Sequence, residues 1–126
     1  MATIGTFKSK VYHEYFKEEE GFILMEPDTQ GKEKIHDAIY NEEYGIKAFS
    51  KDITSRARVQ IKQEIDKLID KGAEGIILGC TELPLAVEQE NFAVPVIDPG
   101  LIIARRLIEL VSPEKLVKNY KIDLLP

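Results

Sequence analysis

Apolar positions along this chain follow two periods, and each period calls for a different element. Between residues 8 and 20, Val11 and Tyr15, and Tyr12 and Phe16, recur four apart, which predicts a helix. The unbroken run Phe22-Ile23-Leu24-Met25, opened by Gly21 and closed before Pro27, predicts a short buried strand. Asp28 or Thr29 then caps a second helix with Ile35, Ala38 and Ile39 on its inner face. Gly45 disturbs the end of that helix, and residues 46–51 connect it to the next. Asp52 is the expected cap of a clearer helix, in which Ile61, Ile65, Leu68 and Ile69 share one stripe. Lys71 and Gly72 supply the cation and the positive-φ residue that commonly end a helix. Gly75-Ile76-Ile77-Leu78-Gly79 is the strongest strand candidate, and Pro84 fits the first turn of a short helix after it. Val94-Pro95-Val96-Ile97 reads as a further strand whose proline places it at an edge or a strand start. Residues 99–111 form the last long helix, and Ser112-Pro113-Glu114 restarts a short helical piece leading into the tail. Strands and helices in this alternation predict an α/β domain with a mainly parallel sheet flanked by helices, over residues 1–111, followed by a helical turn and tail over 112–126.

The start of the chain departs from that pattern. Helix signals begin so early that Met1-Ala2-Thr3-Ile4 supply only a strand stub before the turn at Gly5-Thr6. A doubly wound domain ordinarily opens with a central strand of about five residues or more. Either this is a short edge strand, or the first strand is truncated and sequence is missing upstream; the second is the preferred expectation. An unpaired strand position invites pairing with another chain, so a homo-oligomer is expected.

Composition narrows the class without changing the elements. A chain of 126 residues makes one domain, and 44% hydrophobic with 31% charged residues suits a packed core rather than disorder. The net charge of −5, with no basic stripe, argues against a nucleic-acid partner. No apolar run approaches a membrane span and no signal-peptide pattern opens the chain, so no membrane partner is expected. The single cysteine, Cys80, leaves no internal disulfide and suits a reducing, cytoplasmic setting.

Cys80 is the candidate for chemistry. It follows the strongest strand and precedes a predicted helix start, and ligands of open parallel sheets gather beyond the carboxyl ends of the strands. Free backbone N–H groups and a helix dipole at that point would favour the thiolate, which predicts a lowered thiol pKa. The competing reading is a buried structural cysteine; Gly79 and the polar Thr81-Glu82 pair make a purely apolar pocket less apt.

The run Gly72-Ala73-Glu74-Gly75-Ile76-Ile77-Leu78-Gly79-Cys80-Thr81-Glu82-Leu83-Pro84-Leu85 resembles the second cysteine signature of the aspartate/glutamate racemase family. Glu82 after Cys80-Thr81 is similar to the aspartate racemase branch, since glutamate racemases usually carry histidine there. Ala2-Thr3-Ile4-Gly5-Thr6-Phe7-Lys8-Ser9, with Tyr12 beyond, resembles the segment that opens the second half of such an enzyme. Ile35-His36-Asp37-Ala38-Ile39-Tyr40 and Val94-Pro95-Val96-Ile97-Asp98 match in order and approximate spacing, so the likeness reaches about residue 111. Three features depart from the family: the other cysteine and its Asn-Thr loop are absent, most of the strand before Thr3 is absent, and Ile103 stands where many relatives have histidine.

The resemblance implies the C-terminal half of a two-domain, pseudo-symmetric racemase fold, and a cofactor-independent, metal-free racemase acting by two-cysteine proton transfer, with aspartate or another small acidic amino acid as substrate. Cys80 would serve one face of the α-carbon; the second thiol would come from an N-terminal half or a second protomer. It also implies that Thr3, Gly5, Thr6 and Thr81 hold the α-carboxylate; for Thr3 and Thr6 the competing reading is a simple helix cap. Lys47 resembles a loop lysine that approaches the substrate's side-chain carboxylate; a solvated lysine is the plainer alternative. Glu82 either binds the substrate ammonium or orients the loop. His13 and His36 lack partners at metal-ligand spacing and read as surface or satisfied-core residues. Two other outcomes stay open: a catalytically incomplete or small-anion-binding α/β module, and a related cysteine chemistry such as hydantoin racemisation or arylmalonate decarboxylation.

Overall fold

The computed structural model describes residues 1–117. The elements run α1 (Ile4–Ser9), α2 (Val11–Tyr15), α3 (Thr29–Tyr40), α4 (Ser55–Asp70), β1 (Ile76–Ile77), β2 (Val96–Ile97) and α5 (Pro99–Val111). Single 3-10 turns fill Glu18–Glu20, Leu83–Leu85, Gln89–Asn91 and Pro113–Lys115.

The chain is α/β, with helices around a small parallel sheet. β1 and β2 pair in parallel, Ile76 opposite Val96 and Ile77 opposite Ile97. The ladder extends past both strands, since Ile76 N donates to Pro95 O at 2.9 Å and Leu78 N to Ile97 O at 2.8 Å. Pro95 has no N–H to give, and its place just before β2 spares the ladder any loss. On the other side of β1, the Met1 nitrogen donates to Ile77 O at 2.9 Å and Gly79 N donates to Met1 O at 2.7 Å. One residue bonded to two residues on its neighbour is the parallel pattern. Of the expected stub over residues 1–4, Met1 alone is bonded alongside β1, and Ile4 already belongs to α1.

The core forms where α3 and α4 face each other and the sheet. Ile35, Ala38 and Ile39 of α3 join Ala57, Ile61, Ile65 and Leu68 of α4, with Ile46, Ile76, Leu78 and Leu83, in one buried cluster. Ile35, Ala38, Ile39, Ile61, Ile65 and Leu68 are positions the helical periodicity selects, whereas Ile69 of the same stripe is only partly buried; hydrophobic burial on two such stripes is what holds so small a sheet in place. Glu64 intrudes on this face at 2% exposure, and two lysines answer it: Lys67 Nζ at 2.7 Å and Lys34 Nζ at 3.6 Å. Apolar residues on α5 stay open, with Ile103, Leu107, Leu110 and Val111 all exposed.

Four local expectations are corrected. The helix over 8–20 is two short helices and a 3-10 turn, broken where Lys10 takes φ 53°. Helix starts at Ile4, taking in Gly5 and Thr6, because the Thr3 hydroxyl accepts from Thr6 N at 3.4 Å and closes the first turn. Phe22-Ile23-Leu24-Met25 is no strand: Phe22 and Ile23 are 51% and 79% exposed, and the Phe22 ring meets Phe16 edge-on at 5.4 Å. A short apolar run carries no period of its own, and this one has no ladder partner among the described residues. The cap of α4 is Thr54 rather than Asp52. Of the predicted tail, the Pro113–Lys115 turn is present, and residues 118–126 lie outside the described residues.

Thr54 does two jobs at once. Its hydroxyl accepts from Ala57 N at 3.2 Å and donates to the carbonyl of buried Tyr44 at 2.6 Å. Thr54→Ala should therefore lower stability by about 1–2 kcal/mol, the loss of a cap plus a carbonyl left without its donor. An unchanged urea midpoint would refute that.

Candidate active site

β1 delivers Cys80. Ile76 and Leu78, 2% and 4% exposed, turn their side chains into the core, and two residues on Cys80 emerges half-buried at the rim of the same face. The chain then turns through Thr81 and Glu82 into the 3-10 turn Leu83–Leu85, which carries Pro84 in its first positions and anchors Leu83 at full burial. Sulfur is thus fixed between a packed strand on one side and a packed leucine on the other.

Gly79 explains how other groups reach the sulfur. A Cβ there would stand 2.8 Å from the Tyr12 ring, 3.0 Å from its hydroxyl and 3.2 Å from Met1 O. Only hydrogen at this position lets α2 and the N-terminal stub close on β1. The same pairing sets Met1 opposite Leu78, two residues before Cys80.

Polar groups collect on the open side. Cys80 Sγ donates to Glu82 Oε2 at 2.6 Å, and Thr81 Oγ1 donates to the same oxygen at 3.1 Å. The other oxygen of Glu82 lies 3.3 Å from Lys47 Nζ, and that ammonium sits 4.4 Å over the Tyr40 ring. Tyr40 in turn stacks at 4.7 Å on His36, one helical turn earlier on α3. Lys47 arrives because residues 45–47 fold back on the end of α3: Ile46 N donates to Ala38 O at 2.9 Å and Lys47 N to Ile39 O at 3.0 Å.

The electrostatics correct the expectation for the thiol. Cys80 is pushed up to about 11, first by burial and then by the hydrogen bond it gives Glu82. Glu82 is held below the usual carboxylate range, chiefly by that same hydrogen bond. The two shifts agree: the proton stays on sulfur and the charge on carboxylate. Thiolate was expected because a helix was expected after Cys80, but a three-residue 3-10 turn supplies little dipole, and the Glu82 backbone N–H and the Lys47 charge, which favour thiolate, are outweighed by burial and the Glu82 carboxylate. Lys47 is raised above its ordinary value by Glu82 and then Tyr40. Burial raises the Tyr12 phenol, with a smaller contribution from Cys80.

Of the residues singled out in the sequence, Cys80, Thr81, Glu82 and Lys47 form one connected group, and no hydrogen bond or ion pair among the described residues joins Thr3, Gly5 or Thr6 to it. Gly5 is exposed, and Thr6 turns to a separate small cavity lined also by Met1, Phe7, Lys10, Tyr12 and Ile77. The hydroxyls of Thr3 and Thr6 lie 3.2 Å apart, so here they serve as the cap of α1. Tyr12 and Tyr40 carry no predicted role, yet both face the group. The signal for Tyr40 was its place four residues after His36; for Tyr12 it was the glycine before Cys80, which implies a close neighbour without naming it. Among the described residues no cluster of His, Cys, Asp and Glu is arranged to hold a metal, and no helix is long and apolar enough to cross a membrane.

Comparison with known proteins gives concordant results. The family model for Asp/Glu/Hydantoin racemase matches residues 1–107. An uncharacterized protein from the pnlA 3′ region of Pectobacterium carotovorum subsp. carotovorum is 32% identical over 90 residues, which are 71% of this chain and 55% of that protein. The crystal structure of a candidate Asp/Glu racemase from Yersinia pestis superposes with a TM-score of 0.64 at 31% identity, covering 78% of this chain and 40% of that one. The chain thus spans about half the length of these relatives.

Proposed function

The chain belongs to the Asp/Glu/hydantoin racemase family, and on that premise we propose that it supplies one proton-transfer face of an amino-acid racemase that works without pyridoxal phosphate or metal. Cys80 is the acid–base residue, and aspartate or a close acidic amino acid is the substrate. The observation that carries this is the position of Cys80: half-buried at the carboxyl end of β1 and hydrogen-bonded to Glu82, whose other oxygen is paired with the exposed Lys47. The Cys80-Thr81-Glu82 run supports the aspartate branch, its likeness to the family's second cysteine signature supports a C-terminal half, and the half-length match supports a part of a larger site.

Inversion at an α-carbon requires proton removal on one face and return on the other. One base puts its proton back where it took it, so two are needed. Cys80 handles one face: as thiolate it takes the α-proton, as thiol it returns one. With one cysteine in 126 residues, the second thiol lies outside this sequence or on a second copy. The carbanion formed between these steps is stabilised by donors held around the substrate carboxylate. Thr81, whose hydroxyl shares a Glu82 oxygen with the sulfur, is the neighbouring group that can serve, and Lys47 is the cation for a side-chain carboxylate.

A second reading rests on that single thiol: the 126-residue chain binds the substrate but does not invert it. Proton NMR in deuterated buffer separates the two, with L-aspartate, L-glutamate and a 5-substituted hydantoin as substrates and no added cofactor. Loss of the α-proton signal with retained configuration means one working face. Loss with inversion means a second thiol has been recruited. Absence of exchange in all three substrates, also in a protein extended to the length of the relatives, would reject a racemase.

A further inference from the structure

The group around Cys80 is arranged around the proton on its sulfur. Glu82 turns its two oxygens to different partners: Oε2 receives Cys80 Sγ–H at 2.6 Å and Thr81 Oγ1–H at 3.1 Å, while Oε1 faces Lys47 Nζ at 3.3 Å. Each contact opposes another use of the same group. A carboxylate that accepts the thiol proton and the Thr81 hydroxyl is already engaged, and a lysine paired to it is partly spoken for. We propose that Glu82 is a positioning residue that keeps Cys80 in its protonated, proton-donating form, and that Lys47 sets the strength of that hold.

This rests on Cys80 being the acid–base residue of the site, and it changes the roles of its neighbours. Glu82 acts through sulfur rather than on the substrate's ammonium. Lys47 counters the carboxylate's charge, so a substrate carboxylate that draws Lys47 away strengthens the grip on the thiol proton. When Cys80 donates, its S–H bond breaks, a C–H bond forms at the carbanion, and sulfur keeps the electron pair. The thiolate left behind faces the Glu82 carboxylate at hydrogen-bonding distance, and that like-charge pair drives sulfur to recover a proton from solvent or from the next substrate. The other ionisable group facing the sulfur is Tyr12 of α2, a neutral phenol packed on Gly79; Tyr40 of α3 stands behind Lys47 and reaches the sulfur only through it.

Because Cys80 is the only cysteine, its ionisation can be followed directly in the full chain by thiolate ultraviolet absorbance and by the pH profile of iodoacetamide alkylation. Glu82→Gln removes the charge and should move the titration midpoint down, raising the alkylation rate near pH 8 about tenfold, as one pK unit implies. Lys47→Met should move the midpoint up and slow alkylation about threefold, half a pK unit. Glu82→Asp, which keeps the charge and withdraws it by one methylene, should fall between wild type and Glu82→Gln. Opposite displacements by the Glu82 and Lys47 variants support the proposal, because altered access to the sulfur changes rates without moving a midpoint. Midpoints that stay fixed, or that move the same way in both, overturn it. No substrate is involved, so a failure here is distinct from a failure to exchange the α-proton.

Discussion

Cys80→Ala is expected to lower α-proton exchange about a thousandfold, the middle of the range that a positioned acid–base group contributes. Cys80→Ser should do nearly as badly, although it keeps a hydroxyl in the sulfur's place. An alcohol at that position cannot ionise in the accessible range, so it restores the shape and hydrogen bond to Glu82 but not the base. Both variants should fold, because Cys80 sits at the rim of the core and its truncation empties little volume. That separates loss of chemistry from loss of structure: the thermal midpoint should hardly move while exchange collapses. The pH dependence carries its own sign. With one thiol acting as base on one face, the rate follows the thiolate fraction, and Cys80 is held up to about 11. Exchange above the Cys80→Ala background should therefore climb about tenfold per pH unit through neutrality and level off only near that value. A plateau already reached near pH 8 would mean an ordinary thiol, and undiminished exchange in Cys80→Ala would remove Cys80 from the mechanism.

Much of this fold is legible in the chain because helical stripes and strand runs state their own burial. Ile35, Ala38 and Ile39, and Ile61, Ile65 and Leu68, are read from spacing alone and all lie in the core. The sheet is legible for the same reason at residues 75–79 and 94–97. Elements that depend on what they pack against are harder. Phe22-Ile23-Leu24-Met25 has a strand's composition, but strand formation needs a partner's backbone, which no local pattern reveals. The first helix fails in register rather than in kind: Thr3 caps it four residues earlier than the apolar pairs suggest, and Lys10 breaks it by adopting a left-handed backbone that sequence does not announce.

The candidate site divides along a similar line. Cys80, Thr81 and Glu82 are adjacent in sequence, so their proximity is legible. What was not legible is the sign of the result. The dipole argument gives thiolate only if a real helix follows, and Leu83-Pro84-Leu85 stops after one 3-10 turn, with Leu83 buried in the core. Nor does spacing say that Glu82 bends back to the sulfur two residues before it. Lys47 is a third case: nothing near it in the chain points to Cys80, and it reaches the group only because the segment after α3 doubles back.

That doubling back depends on Gly45, and Gly45→Ala is expected to cost about 3 kcal/mol of stability, the upper range for forced overpacking. Residue 45 is buried, and a Cβ there would stand 2.5 Å from Asn41 O, 2.6 Å from Asn41 N and 3.0 Å from Ile39 O. All three are backbone atoms at the end of α3, so no side-chain rotation relieves the clash. The loop must lift, which strains the bonds from Gly45 N to Asn41 O at 2.8 Å, Ile46 N to Ala38 O and Lys47 N to Ile39 O. It also pulls at Tyr44 and Ile46, buried on either side, and at the Tyr44 hydroxyl bound to Asp37. Gly72→Ala is the control, since Gly72 has φ +96° but nothing within 4 Å of a Cβ; it should cost only about 1 kcal/mol from backbone strain. Urea unfolding of the two variants side by side tests the contrast, and equal losses would mean that the close approach at residue 45 is not what holds the loop. Because the same loop carries Lys47, Gly45→Ala should also move the Cys80 titration midpoint upward, in the direction of Lys47→Met, whereas Gly72→Ala should leave it in place. A glycine far from the sulfur in sequence would then be felt at the sulfur through one lysine, which is the dependence the structure requires.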